Sequence, residues 1–250
     1  MAFKIDNQTI NDLKIIGDAK GHDIYGLYNK TKTRGGAKIL QDMFLYPLSR
    51  AEEINHRVNT IRYFKENEFE FPFNNAVFDT IEFYLSNTDE RTRLTAHADN
   101  LKRKFDNMIG SDTEYQQINK GVAGTLEFLI DLNAFISKLD AQNTKVDFHK
   151  DVKSIQEILN SPNLAFVKKT AKASKISYAE TVKHDKLLRF TIQKEILKLL
   201  HYAYQIDVFI AVSKVGRELD FAFAEINSDP SNLIEMKGIY HPLVLSLIHI

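Results

Sequence analysis

Apolar residues recur at three- and four-residue steps along most of the chain, the spacing that puts one helix face against a core. The strongest run is Leu188, Ile192, Ile196, Leu199, Ala203, Ile206 and Ile210, which predicts one long helix over 184–219. A helix of that length with a continuous apolar stripe behaves as a stiff strut. Ala37, Leu40 and Phe44 share a face within 34–46, where Thr31 or Thr33 supplies the cap and Pro47 the stop. Ile54, Val58, Ile61 and Phe64 share another, in a helix expected to open at Ser49 with Glu52 three residues on, as in a capping box. The same spacing predicts helices at 77–85, 119–139 and 151–159. Alternation appears only near the ends, at Phe3 and Ile5 and again at Phe221, Phe223 and Ile226, while 234–244 reads as a turn and a strand. The expected class is therefore mostly α: a helical domain with one long helix and short extended N- and C-terminal segments.

Composition supports this and narrows the function. With 10 Gly and 5 Pro in 250 residues, tight turns are few, which favours long helices. Lys plus Arg and Asp plus Glu are 33 each, so the basic excess of a stand-alone nucleic-acid binder is missing. The chain has no Cys, which excludes disulfide scaffolds and cysteine zinc sites and suits an intracellular, cytoplasmic setting. A polar N-terminus and the lack of any run of about 18 apolar residues predict neither a signal peptide nor a membrane partner.

Candidate chemistry is sparse. Neither GxxxxGK[ST] nor GxGxxG occurs. The histidines are scattered and form no HExxH, so no metal site is expected. Glu52-Glu53 and Asp89-Glu90 suit helix starts, where the macrodipole favours carboxylates, and single out no acid/base pair. Catalytic and cofactor-binding residues are accordingly expected to be none. Lys168, Lys169, Lys172 and Lys175 are the candidate DNA contacts, with Lys102-Arg103-Lys104 as a second basic stretch; a solvated face is the ordinary reading of both. Gly35-Gly36 sits inside a helical pattern, where close helix packing explains it.

One segment carries a more specific pattern. In 24–64 the residues Thr31, Thr33, Gly36, Lys38 and Leu40 are followed by Pro47-Leu48, then by Ile54, Arg57, Ile61 and Phe64. Their order and spacing resemble the start of the core domain of the MutS family of DNA mismatch-repair proteins, with Lys38 where Arg is commoner. The stretch 204–226, with Asp207, Ala211, Val212 and Ser213, is similar to the family's helix returning from the lever to the ATPase. Gly238-Ile239-Tyr240-His241-Pro242 looks like the strand that opens the ATPase domain. The resemblance implies a core/lever domain over 1–232 and the first strand of an ATPase domain over 233–244. It implies a phosphate loop beyond Val244, and ATP and Mg²⁺ as cofactors of the intact parent only. It further implies DNA as a partner, a homodimer in the parent, and a lever that couples ATP state to DNA binding. The stretch between about Phe166 and Tyr178 is too short for the family's DNA clamp, and with Met1 directly at the core the family's mismatch-reading domain is expected to be lacking. The similarity is thus to a compact MutS-like branch, in which core and ATPase are retained without the mismatch-reading domain.

Residues 245–250 read LSLIHI, which matches in every position the translation of the mosaic-end adaptor of transposase-based sequencing libraries. They are expected to be an artefact, following a reading frame cut early in the ATPase domain. A stand-alone helical protein-interaction scaffold without ATPase activity is the alternative, and a DNA-binding domain using Lys168 to Lys175 the third reading.

Overall fold

The computed structural model describes residues 5–17, 22–94, 111–142, 148–169, 176–226 and 234–243. Every regular element among them is helical, and no strand is formed. The helices are α1 (Asn7–Asp12), α2 (Ile24–Tyr28), α3 (Arg34–Leu45), α4 (Ala51–Asn67), α5 (Ala76–Ser86), α6 (Ser111–Gln142), α7 (His149–Leu159), α8 (Tyr178–Asp185) and α9 (Gln193–Glu218). The mostly helical class expected from the periodicity is the observed one.

The chain falls into two compact units, each with its own aromatic core. The first comprises Met1–Phe71, Lys145–Phe148 and Tyr204–Ile250. Its centre is Phe64, fully buried, whose ring lies 5.2 Å from Phe69, 5.3 Å from Phe148 and 5.7 Å from Phe209. The Phe148 contact is edge-on, the geometry that aromatic quadrupoles favour. The second unit comprises Pro72–Thr144 and His149–Ala203. There Phe73, Phe78 and Phe128 form a triangle with ring separations of 5.5–5.8 Å, beside buried Ile81, Leu129, Leu132 and Ile136. Helices α5 and α6 approach closely because Gly121 lacks a side chain, and a Cβ there would stand 2.2 Å from Cγ of Tyr84.

Several local details differ from the periodicity reading. Helix α4 begins at Ala51, two residues after the Ser49 expected to open it, with Arg50 as its N-cap; the Arg50 side chain makes no capping hydrogen bond and pairs with Glu53. A complete capping box occurs at α8, between Ser177 and Glu180. The long helix is not continuous from 184. A π-helical turn, Lys186–Thr191, joins α8 to α9, and the Ile192 N–H bonds back five residues to the Leu187 carbonyl at 2.9 Å. The longest helix is α6, with 32 residues.

Helix α9 has 26 residues and is, by length and composition, apolar enough to cross a membrane. Most of its apolar side chains, however, are buried in the fold, from Ile196, Leu199 and Leu200 to Ile206, Val208 and Val215, while Leu197 is exposed. It is a core helix, apolar on several faces because several faces are covered. Residues 234–243, expected to hold a strand, run through bends and a turn, with Gly238 at φ +63° and Ile234, Met236 and Ile239 exposed. The His241 ring nitrogen Nε2 contacts the Leu13 carbonyl at 3.0 Å. Residues 245–250 and 1–4 lie outside the described residues.

Candidate functional site

Two buried polar networks and one basic cleft stand out among the described residues. The first network lies in the unit that contains α3. Thr33 caps this helix from an extended backbone, its Oγ1 accepting the Gly36 N–H at 2.9 Å. Asp207, projecting from α9 and 1% exposed, then accepts the Thr33 N–H at 2.8 Å, the Thr33 hydroxyl at 2.7 Å and the Lys32 N–H at 2.9 Å. Burial pushes the Asp207 carboxyl up, against the opposing pull of these donors. The fit depends on the paired glycines. A Cβ on Gly36 would lie 2.5 Å from Asp207 Oδ2, and one on Gly35 would lie 2.4 Å from the Tyr204 ring. Thr33, Gly36 and Asp207, which stand 174 residues apart at the extreme, thus form one contact. Ser213 is also buried, and its hydroxyl donates to the Ile210 carbonyl within α9.

The second network belongs to the other unit and was not singled out by its residues' spacing. Arg189 sits in the π turn, 2% exposed, and all five of its N–H donors are used. Nε and Nη2 hold Asp185 at 2.6 and 2.7 Å, while the remaining donors reach the Asn87 carbonyl and the carbonyl and hydroxyl of Thr92 at 3.0–3.2 Å. The Tyr84 hydroxyl donates to Asp185 at 3.0 Å, and burial drives its pKa far upward. A signal did exist. Asp185 and Arg189 lie on the same i, i+3, i+4, i+7 stripe as buried Leu188 and Ile192, where a charge must be paired.

The expected DNA contacts are less concentrated. Lys168 is exposed and donates from Nζ to the Asn160 side-chain oxygen at 2.7 Å. The backbone of Lys169 completes a short 3-10 turn, Val167–Lys169. The Lys169 side chain, Lys172, Lys175 and Lys102-Arg103-Lys104 lie outside the described residues. Nearby, the His184 ring stacks on Phe166 at 4.7 Å, and its Nδ1 is buried with no hydrogen-bond partner. Burial, with Lys183 beside it, lowers the imidazole pKa. A folded pKa below the unfolded one means the unfolded chain takes up the proton first. The stability contribution is therefore full above the unfolded value near 6.5 and declines as the pH falls below it. A urea titration at about pH 7.5 and about pH 5.5 is expected to show a lower midpoint at acid pH, and His184→Phe to remove part of that drop. An unchanged pH dependence in the variant rules out this role.

The cleft lies in the unit of α3 and α4. Arg62, Lys65, Glu66, Arg217 and Phe223 line an open space of about 360 Å³. The Arg62 guanidinium lies 5.1 Å and the Lys65 ammonium 5.5 Å from the centre of the Phe223 ring. Lys65 donates to the Phe221 carbonyl at 3.1 Å, and Arg217 to the Lys65 carbonyl at 3.2 Å. Among the described residues no group of three His, Cys, Asp or Glu could hold a metal ion. No glycine-rich phosphate loop occurs in the sequence either. The residues present thus do not fit an ATP–Mg²⁺ complex, and no reaction step is assigned to them.

Comparison with known proteins supplies the remaining findings. Residues 8–224 match the family model of MutS domain III. The DNA mismatch repair protein MutS of Fervidobacterium nodosum is 26% identical over 145 residues, which cover 57% of this chain and 17% of that protein. MutS of Thermosipho melanesiensis is 35% identical over 90 residues, 36% of this chain and 10% of the relative. MutS of Pseudothermotoga lettingae is 35% identical over 63 residues, 25% of this chain and 8% of the relative. The matched regions are thus a small part of these relatives' own length. No solved structure matches the chain.

Proposed function

Because the chain belongs to the MutS domain III family, we propose that it is the core and lever of a MutS-like DNA-processing ATPase, coupling ATP state to DNA binding in the intact parent. The observation that carries this reading is the family match over 8–224, which includes residues of both helical units. Two further features agree with it. The residues that carry the resemblance at the two ends of the match, Thr33, Gly36 and Asp207, are joined by short buried hydrogen bonds. Helix α9 also supplies residues to both units without interruption.

In this reading the nucleotide and Mg²⁺ belong to an ATPase domain following Val244, and the parent acts in the cytoplasm as a homodimer. DNA meets the lysines around Lys168, Lys169, Lys172 and Lys175, through phosphate contacts that are sensitive to salt. The test is to read the gene past the codon for Val244 and assay the protein it encodes. A following GxxxxGK[ST], with ATP turnover that responds to DNA, is the expected result. A stop codon directly after residue 250, or an encoded protein with no ATP turnover, overturns the reading and leaves a helical scaffold.

A further inference from the structure

The cleft at Arg62, Lys65, Arg217 and Phe223 is unlike the rest of this charge-balanced chain. Neither Arg62 nor Lys65 has a carboxylate partner among the described residues, although both are half-buried. They stand one helical turn apart on α4 and both press on the same ring. Two like charges held this close and partly shielded from water repel each other, and the repulsion is relieved by an anion between them. Arg217 adds a third cation, whose nearest carboxylate is Glu68 at 3.8 Å. Glu66 is the one carboxylate on the lining, and it is exposed.

Donor capacity points the same way. Arg62 spends one N–H on the Asn59 side chain at 3.0 Å, and Lys65 one on the Phe221 carbonyl. Their remaining donors have no hydrogen-bond acceptor among the described residues. A guanidinium and an ammonium side by side suit a tetrahedral dianion, which accepts from several directions at once. A volume of about 360 Å³ falls within the range of small-molecule sites and leaves room for more than the anion itself. The Phe223 ring and the hydrocarbon stems of Arg62 and Lys65 supply an apolar wall for that remainder.

We propose that this cleft binds a phosphate monoester of nucleoside size, its phosphoryl group held between Arg62, Lys65 and Arg217 with its body along Phe223. The same chemistry is presented by a free nucleotide and by the 5′-phosphorylated end of a nucleic-acid strand. The lining of the cleft includes none of the lysines around Lys168, and the proposal does not depend on an ATPase domain.

The experiment titrates the whole chain, followed by amide NMR shifts, with adenosine 5′-monophosphate, inorganic phosphate, adenosine, and a dinucleotide with and without a 5′-phosphate. Shifts confined to residues around 62–66 and 217–223 are expected with the phosphorylated probes and not with adenosine. Arg62→Gln with Lys65→Gln is expected to weaken binding by at least about tenfold, two charge-assisted contacts being lost. Glu66→Gln is expected to tighten it about two- to threefold by removing the exposed like charge. This gain cannot come from a misfolded variant, so it guards against an unfolded double mutant. Tighter binding of the phosphorylated dinucleotide assigns the site to a strand end, and tighter binding of the mononucleotide assigns it to a free nucleotide. Equal affinity for adenosine and its monophosphate, or no effect of any of the three substitutions, overturns the proposal.

Discussion

Arg189→Met is expected to destabilise the unit built from α5 to α8 by about 3–5 kcal/mol, the cost of leaving a buried charge without its partner. The substitution keeps most of the volume and removes five hydrogen bonds at once. Asp185, fully buried, then retains the Tyr84 hydroxyl and a longer contact from the Leu94 N–H at 3.4 Å, while the carbonyls of Asn87 and Thr92 lose their donor. Chemical denaturation measures the loss, and hydrogen exchange locates it, since the amides of 87–94 should lose protection before the rest. The decisive comparison is the double variant Arg189→Met with Asp185→Leu. Replacing both ends of a buried pair by apolar groups of similar size is often neutral, so the double variant should recover most of the stability. If it is no better than the single one, Arg189 acts through packing on Tyr84 and Phe190, whose rings its guanidinium covers at 5.4 and 4.8 Å.

That network also marks where reading the chain by period reaches its limit. Helices with one apolar face were legible because their stripe repeats over several turns: α3, α5, α7 and most of α9 lie within a few residues of where Leu40, Ile81, Ile155 and Ile196 place them. The Thr33 cap and the stop before Pro47 were legible too, being local chemistry. The first turns of α6 were missed because SDTEYQQINK is polar on most sides, and among its described side chains only Ile118 is buried. The π turn was missed because one widened turn has no repeat of its own; Leu188 and Ile192 keep their spacing through it. The cleft was invisible for a different reason. Arg62 and Lys65 meet Arg217 and Phe223 only because α4 and the end of α9 pack together, and an even balance of 33 and 33 charges says nothing of how they are segregated.

The contact between Thr33, Gly36 and Asp207 lies between these cases: its residues were picked out by resemblance, while the hydrogen bonds give the physical reason for them. Asp207→Ala is expected to cost about 3–5 kcal/mol. It strands the buried Thr33 N–H and hydroxyl, each worth roughly 1–3 kcal/mol when left unpaired, and the part-buried Lys32 N–H, with the removed desolvation of the carboxylate offsetting part. Gly36→Ala alone should also destabilise, by about 1–3 kcal/mol. Its Cβ would meet Asp207 Oδ2 at 2.5 Å and Thr33 Oγ1 at 2.9 Å, and this overpacking outweighs the gain of up to about 1 kcal/mol that alanine brings to a helix. The two substitutions should not add. With the carboxylate gone, its 2.5 Å contact disappears and the Thr33 hydroxyl, freed of its acceptor, is the close contact left, so Gly36→Ala in the Asp207→Ala background should cost little or nothing. A coupling of about 2 kcal/mol or more in a double-mutant cycle by urea unfolding is the expected result. Additive losses within about 0.5 kcal/mol mean that the glycine does not serve the carboxylate, and that the closeness of α3 to α9 is set by Gly35 against Tyr204 instead.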